Sequence, residues 1–195
     1  MGYGFMVWAV DTAKLAAVAG SKDEKLRRMI GGRFKRDLAS LDDLFEHDIA
    51  AGRPNTYEAL RQIIDGAIPE GAQGGIYYYA FKLIVEHFGK PLDNSMVYPW
   101  NSPEFDLIDK ALADMNVPFQ MSRLHGLGLP VKLPYPDDFP MTGWIDAARV
   151  KAIDEAFAKA PEIEADSETR DILRCARAWF RVAAPLNRGL VAYYH

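Results

Sequence analysis

Four arginines recur on one side of a predicted helix near the carboxyl terminus. The spacing of apolar residues predicts a helix over 167–184, and its arginines fall within about 60° of one another around the helix axis. Guanidinium groups bind carboxylates and phosphates through parallel hydrogen bonds, so such a face could receive an acidic partner or a phosphate-rich surface. The alternative is a solvated face whose arginines pair with Glu168 or Asp171. This set, the arginine stripe, consists of Arg170, Arg174, Arg177 and Arg181.

A second group of polar and aromatic residues lies in or beside a proline-rich arm, residues 118–143. Arg123 could bind an anion, and the glycines after His125 let backbone N–H groups approach it. Asp137 and Asp138 could divide acid and base roles, although neighbouring residues on an extended segment point to opposite sides, which favours turn or capping roles. The candidate ligand pocket predicted from these residues is lined by Arg123, His125, Tyr135, Asp137 and Trp144.

The aromatic residues of this region have two interpretations. Tyr135, Phe139 and Trp144 could contact a partner, or they could pack inward over the core, which is the interpretation we favour.

Signatures of common catalysts are missing from the sequence. The four histidines form no pair at metal-binding spacing, and the single cysteine, Cys175, excludes a multi-cysteine metal site. The sequence also lacks a Walker loop, a nucleophile elbow and the kinase and metalloprotease motifs. We therefore expect no cofactor and no metal, and we favour a non-enzymatic function. His87 is predicted to be a hydrogen-bonded core histidine, and Cys175 a small, partly buried apolar residue.

Composition narrows the class of protein further. The chain has 195 residues, of which 49% are hydrophobic, and a net charge of −4, which fits one domain over 1–195. The acidic balance argues against a general nucleic-acid binder. The first apolar run is too short for a membrane span and has no basic residue before it, so we expect a cytoplasmic protein.

The apolar pattern predicts strands at both ends of the chain, 3–10 and 189–194, with helices between them. The predicted helices follow caps at Asp11, Ser21 and Asn55, cover 34–51, 76–88, 146–159 and 167–184, and include one that starts at Ser102–Pro103. Val117 to Leu124 could add a third strand at an edge of the sheet. The predicted fold class is α+β, mostly helical, with a small sheet that pairs the terminal strands and is covered by helices.

Short motifs are spread over nearly the whole chain, at Tyr3-Gly4, Val7, Val10-Asp11, Leu15, Glu86-His87-Phe88-Gly89, Asp137-Asp138-Phe139-Pro140, Gly143, Gly189-Leu190-Val191 and Tyr194-His195. On these motifs the sequence resembles a family of bacterial proteins of unknown function. The resemblance implies one full-length domain with a small sheet and helices. It implies no activity and no catalytic or ligand-binding residues.

Two classes of function stay open. The favoured hypothesis is a domain that binds another protein through the arginine stripe, and its most specific form is a toxin-neutralising immunity protein. We expect neither nucleic acid nor membrane as a partner, and the sequence indicates no oligomeric state. The alternative is a small-ligand-binding protein or enzyme that uses the candidate ligand pocket. A basic stretch over 25–36 and an acidic stretch over 37–48 could orient a partner or neutralise each other.

Overall fold

In the computed structural model, which describes residues 3–98, 105–161 and 164–195, the two ends of the chain pair in one antiparallel sheet. β1 (Phe5–Val10) and β4 (Gly189–Tyr194) pair along their whole length, with Phe5 opposite Tyr194 and Val10 opposite Gly189. β2 (Lys90–Pro91) pairs with the free edge of β1, and β3 (Met141–Ile145) pairs with the free edge of β4. The predicted α+β class and the pairing of the terminal strands are confirmed.

The described chain divides into two compact units. The sheet unit comprises Met1–Thr12, Gly89–Leu129 and Met141–His195, and the helical unit comprises Ala13–Phe88 and Pro130–Pro140. A single domain over 1–195 stays a prediction.

The sheet unit surrounds its strands with helices. Every residue of β4 is buried, and so is every residue of β1 except Met6, because α8 (Ala147–Lys159) contacts β4 and α9 (Ser167–Ala183) contacts β1. α7 (Phe105–Asp114) contacts α9. The predicted start of a helix at Ser102–Pro103 lies outside the described residues.

The helical unit contains α1 (Thr12–Val18) apart from its first residue, α2 (Glu24–Arg33), α3 (Lys35–Leu44), α4 (Glu46–Ala50), α5 (Thr56–Asp65) and α6 (Gly74–Phe88). Asn55 caps α5 as predicted, since its side chain accepts the Glu58 N–H at 2.8 Å. The predicted cap at Ser21 is wrong. The side chain of Asp23 accepts the Leu26 N–H at 2.9 Å, so Asp23 caps α2, which starts at Glu24. The predicted helix over 34–51 is interrupted at Phe45, which separates α3 from α4.

The third strand lies elsewhere than predicted. Within 117–124 the chain instead enters a short 3-10 helix, Met121–His125. The carboxylate of Asp109 on α7 accepts the Met121 N–H at 2.5 Å and also the hydroxyl of Ser122, so a distant side chain satisfies donors that a strand would have offered to a neighbour. The true third strand is β3, at the end of the proline-rich arm.

Gly143 allows the 3-10 helix to pack directly on β3. A Cβ atom at this position would lie 2.5 Å from the backbone of Leu124. We expect Gly143→Ala to lower the free energy of unfolding by roughly 1–3 kcal/mol, as overpacking does in well-packed cores, measured by urea denaturation.

Gly126→Ala is the matched control. Among the described residues, no heavy atom lies within 4 Å of the place that a Cβ atom would take there, and the φ of −145° lies outside the left-handed region. This variant should unfold at nearly the wild-type urea concentration. Equal destabilisation by both substitutions would contradict the close packing at Gly143.

Candidate functional site

The inner face of α9 is fixed in the core of the sheet unit. Trp179 Nε1 and Cys175 Sγ both donate to the backbone carbonyl of Asp93, at 2.6 and 3.3 Å. The ring of Phe180 packs on that of Phe119, with the centroids 4.9 Å apart. A rotation of α9 about its axis would break these contacts, so the direction in which its outer face points is set by the core.

The first turn of α9 is capped by a carboxylate. Asp166 accepts the Thr169 N–H at 2.9 Å and the Thr169 hydroxyl at 2.8 Å. These hydrogen bonds, the backbone one first, hold the pKa of Asp166 below its usual range. The cap therefore stays charged at neutral pH, where a negative charge at the amino end of a helix is favourable.

All four members of the arginine stripe are exposed on the outer face of α9. Arg174 Nη1 lies 2.9 Å from a carboxylate oxygen of Asp171, as the solvated-face alternative predicted for this residue. The side chains of Arg174 and Asp171 are 75% and 43% exposed, so this ion pair adds little stability and is readily exchanged. Within the three described segments of the chain, no ion pair joins Arg170, Arg177 or Arg181 to an acidic side chain.

A shallow cleft opens along the amino-terminal part of this face. The arginine cleft has a volume of about 290 Å³ and is bordered by Arg170, Arg174 and Arg177. Its remaining walls are apolar and come from three elements: Met115 after α7, Leu173 of α9, and Ala160 and Pro161 after α8. The site therefore combines a cationic border with a base suited to an apolar group.

The apolar walls of the arginine cleft could not be predicted from the sequence. Helical spacing places the arginines and Leu173 on α9, but Met115 and Ala160 come from other helices that are distant along the chain. A local pattern carries no signal for such a contact.

The candidate ligand pocket is divided between the two units. Arg123 is exposed on the 3-10 helix of the sheet unit, where the His125 ring packs on Phe105 at 4.8 Å between centroids. Trp144 is half-buried in β3, opposite Val191. These three candidate residues belong to one unit, whereas Tyr135 and Asp137 belong to the other.

In the helical unit, residues 130–140 of the proline-rich arm pack on the start of α6. Tyr135 is 68% exposed and meets the ring of Tyr78 edge-on, and Phe139 is half-buried. Asp137 is exposed and lines a cleft of about 180 Å³ together with Asp138. Of the aromatic residues of the arm, Tyr135 is therefore largely exposed, whereas Phe139 is partly covered.

His87 lies half-buried near the end of α6, where its ring packs on that of Phe88 with the centroids 4.8 Å apart. Its buried Nδ1 has no hydrogen-bond partner among the described residues, so the predicted hydrogen bonding is not found at that atom. Burial lowers its pKa, and so do the positive charges of Arg33 and Lys14. Arg33 also donates to the His87 carbonyl at 3.3 Å, which satisfies an acceptor at the carboxyl end of the helix. These cations therefore have a structural role at the end of α6.

Within the described residues, no helix has the length and apolar character needed to cross a membrane. The same residues contain no cluster of three or more His, Cys, Asp or Glu side chains with metal-binding geometry.

The fold and this site define an α+β protein that presents an arginine-lined cleft on an exposed helix face. The chain belongs to the family described as Domain of unknown function (DUF7691), whose model matches residues 1–195. This confirms the full-length resemblance to a family of unknown function, while the bacterial origin stays a prediction. Neither a curated protein nor a solved structure matches the sequence.

The reactivity of the Cys175 thiol tests whether the inner face of α9 is packed in the core. Burial is the main cause that raises its pKa to about 11, so at pH 8 very little thiolate is present. We expect the native protein to react with a thiol reagent such as DTNB far more slowly than the same protein in urea. Reaction of the native protein at the unfolded rate would show that the inner face of α9 is not protected.

Proposed function

We propose that this protein is a non-enzymatic binding domain that docks an acidic surface of another protein on the outer face of α9. The observation that carries the proposal is the arginine cleft, in which Arg170, Arg174 and Arg177 border apolar walls on a helix fixed by its core contacts. Arginine is enriched at protein interfaces and at their energetic centres, where an apolar base excludes water from the charged contacts.

The charge of α9 supports an acidic partner. The helix carries the four arginines of the stripe against two acids, Glu168 and Asp171. From Arg170 to Arg181 the stripe extends about 16 Å at 1.5 Å per residue. This length suits the centre of a protein interface, in which a polar rim would surround it.

A protein partner fits these features better than a nucleic acid does. The whole chain has a net charge of −4, and an acidic protein repels a polyanion except where a local basic face outweighs that repulsion. A phosphate backbone would also make no favourable contact with the apolar walls of the arginine cleft.

A toxin-neutralising immunity protein is the most specific form of this proposal. The toxin would be the acidic partner, held in the cytoplasm of a bacterium. The acidic balance of the chain, with a net charge of −4, motivates this form of the proposal.

The double substitution Arg174→Glu with Arg177→Glu tests the proposed function. A tagged full-length chain would be used to recover partners from native lysate, and the recovered protein would be identified by mass spectrometry and purified. We expect the double variant to bind the purified partner at least about thirtyfold more weakly by calorimetry, as loss of an interface centre does.

The control is Arg149→Glu with Lys151→Glu, which makes the same change of charge at exposed positions of α8. Neither residue lines the arginine cleft or belongs to the basic stretch over 25–36. Both double variants should keep the wild-type melting temperature within a few degrees. Undiminished binding by the Arg174 and Arg177 variant would refute the proposed function.

A further inference from the structure

We infer that the arginine cleft recognises a short acidic segment of its partner that carries one apolar side chain. The apolar side chain lies against Met115 and Pro161, and carboxylates on either side of it pair with the bordering arginines. This inference rests on the proposed function and specifies the chemistry of the partner.

The walls of the arginine cleft argue for an apolar group. Met115 and Ala160 are half-buried and Pro161 is exposed, so these three side chains offer apolar surface in the cleft, whereas Leu173 is only 6% exposed and belongs to the core of the sheet unit. Met115 has a flexible thioether side chain that adapts to the shape of a guest. A small hydrated anion would leave these walls exposed to water, whereas an apolar side chain would cover them.

The spacing of the arginines argues for carboxylates on both sides of that group. Arg170 and Arg177 are separated by about 10 Å along the helix axis at 1.5 Å per residue, with Leu173 between them. An extended peptide advances about 3.3 Å per residue, so acidic residues before and after a central apolar residue can each reach one arginine. Guanidinium groups favour such planar, two-point contacts with carboxylates.

Arg174 is prepared for an exchange of partners. Its present partner is Asp171, three residues away on the same helix, and the pair is open to water. A carboxylate of the bound segment can replace Asp171 without leaving it buried and unpaired. The three bordering arginines are therefore all accessible to the segment.

Fluorescence anisotropy with the full-length protein and labelled peptides tests this inference. The probe has the core Asp-Glu-Phe-Glu-Asp, a second peptide has Ser in place of Phe, and a third has Asn and Gln in place of the acids. We expect the Ser peptide to bind at least about tenfold more weakly than the probe, as loss of one buried aromatic side chain predicts. The neutral peptide should show no binding.

Met115→Glu places a carboxylate in the base of the cleft and should reduce binding of the Phe probe by at least about tenfold. Met141→Glu is the matched control, since Met141 is 37% exposed on β3 and lies outside the residues that line the arginine cleft. That variant should bind the probe as the wild type does. The comparison of the Phe and Ser peptides on the unaltered protein keeps the test valid even if Met115→Glu fails to fold.

Equal affinity for the Phe and Ser peptides would overturn the inference, and so would tighter binding of inorganic phosphate or of a single-stranded oligonucleotide than of the Phe probe. If no peptide binds while the purified partner still depends on Arg174 and Arg177, the inference fails and the proposed function stands. If the partner binds independently of these two arginines, the proposed function itself fails.

Discussion

The antiparallel pairing of β1 with β4 is the interaction on which the sheet unit depends. It joins the two ends of the chain along six residues of each strand, and both strands are buried. Buried backbone groups need hydrogen-bond partners, so neither strand can leave the pair without a large penalty. On its other side β4 packs closely on β3, since a Cβ at Gly189 would lie 2.4 Å from the carbonyl oxygen of Ile145. The pair is buried because α8 covers β4 and α9 covers β1.

The seating of α9 in that core explains why its outer face can act as a binding surface. The carbonyl of Asp93 receives two donors from the helix, and the buried aromatic residues leave it no freedom to turn. A partner would therefore order only arginine side chains and not the helix itself. A surface ordered in advance loses less conformational entropy on binding, which favours affinity.

Local features of the fold were predictable because their causes are local. The cap at Asn55 and the spans of α8 and α9 depend on residues within a turn or two of one another. The break at Phe45 was not predicted. The 3-10 helix at Met121–His125 was not predictable either, because it depends on the carboxylate of Asp109 in another helix. β3 was also missed, because five residues with a central glycine form a weak strand pattern.

The sequence by itself determined that the four arginines share one side of a helix, because helical periodicity is a property of neighbouring residues. It also determined that strands occur at both ends of the chain, since their apolar character is continuous over six residues or more. Only the tertiary structure decided that Met115, Ala160 and Pro161 meet the arginines at one cleft. It also assigned Arg123, His125 and Trp144 to a different unit from Tyr135 and Asp137. Contacts between distant residues depend on how helices pack, and no short sequence pattern encodes that packing.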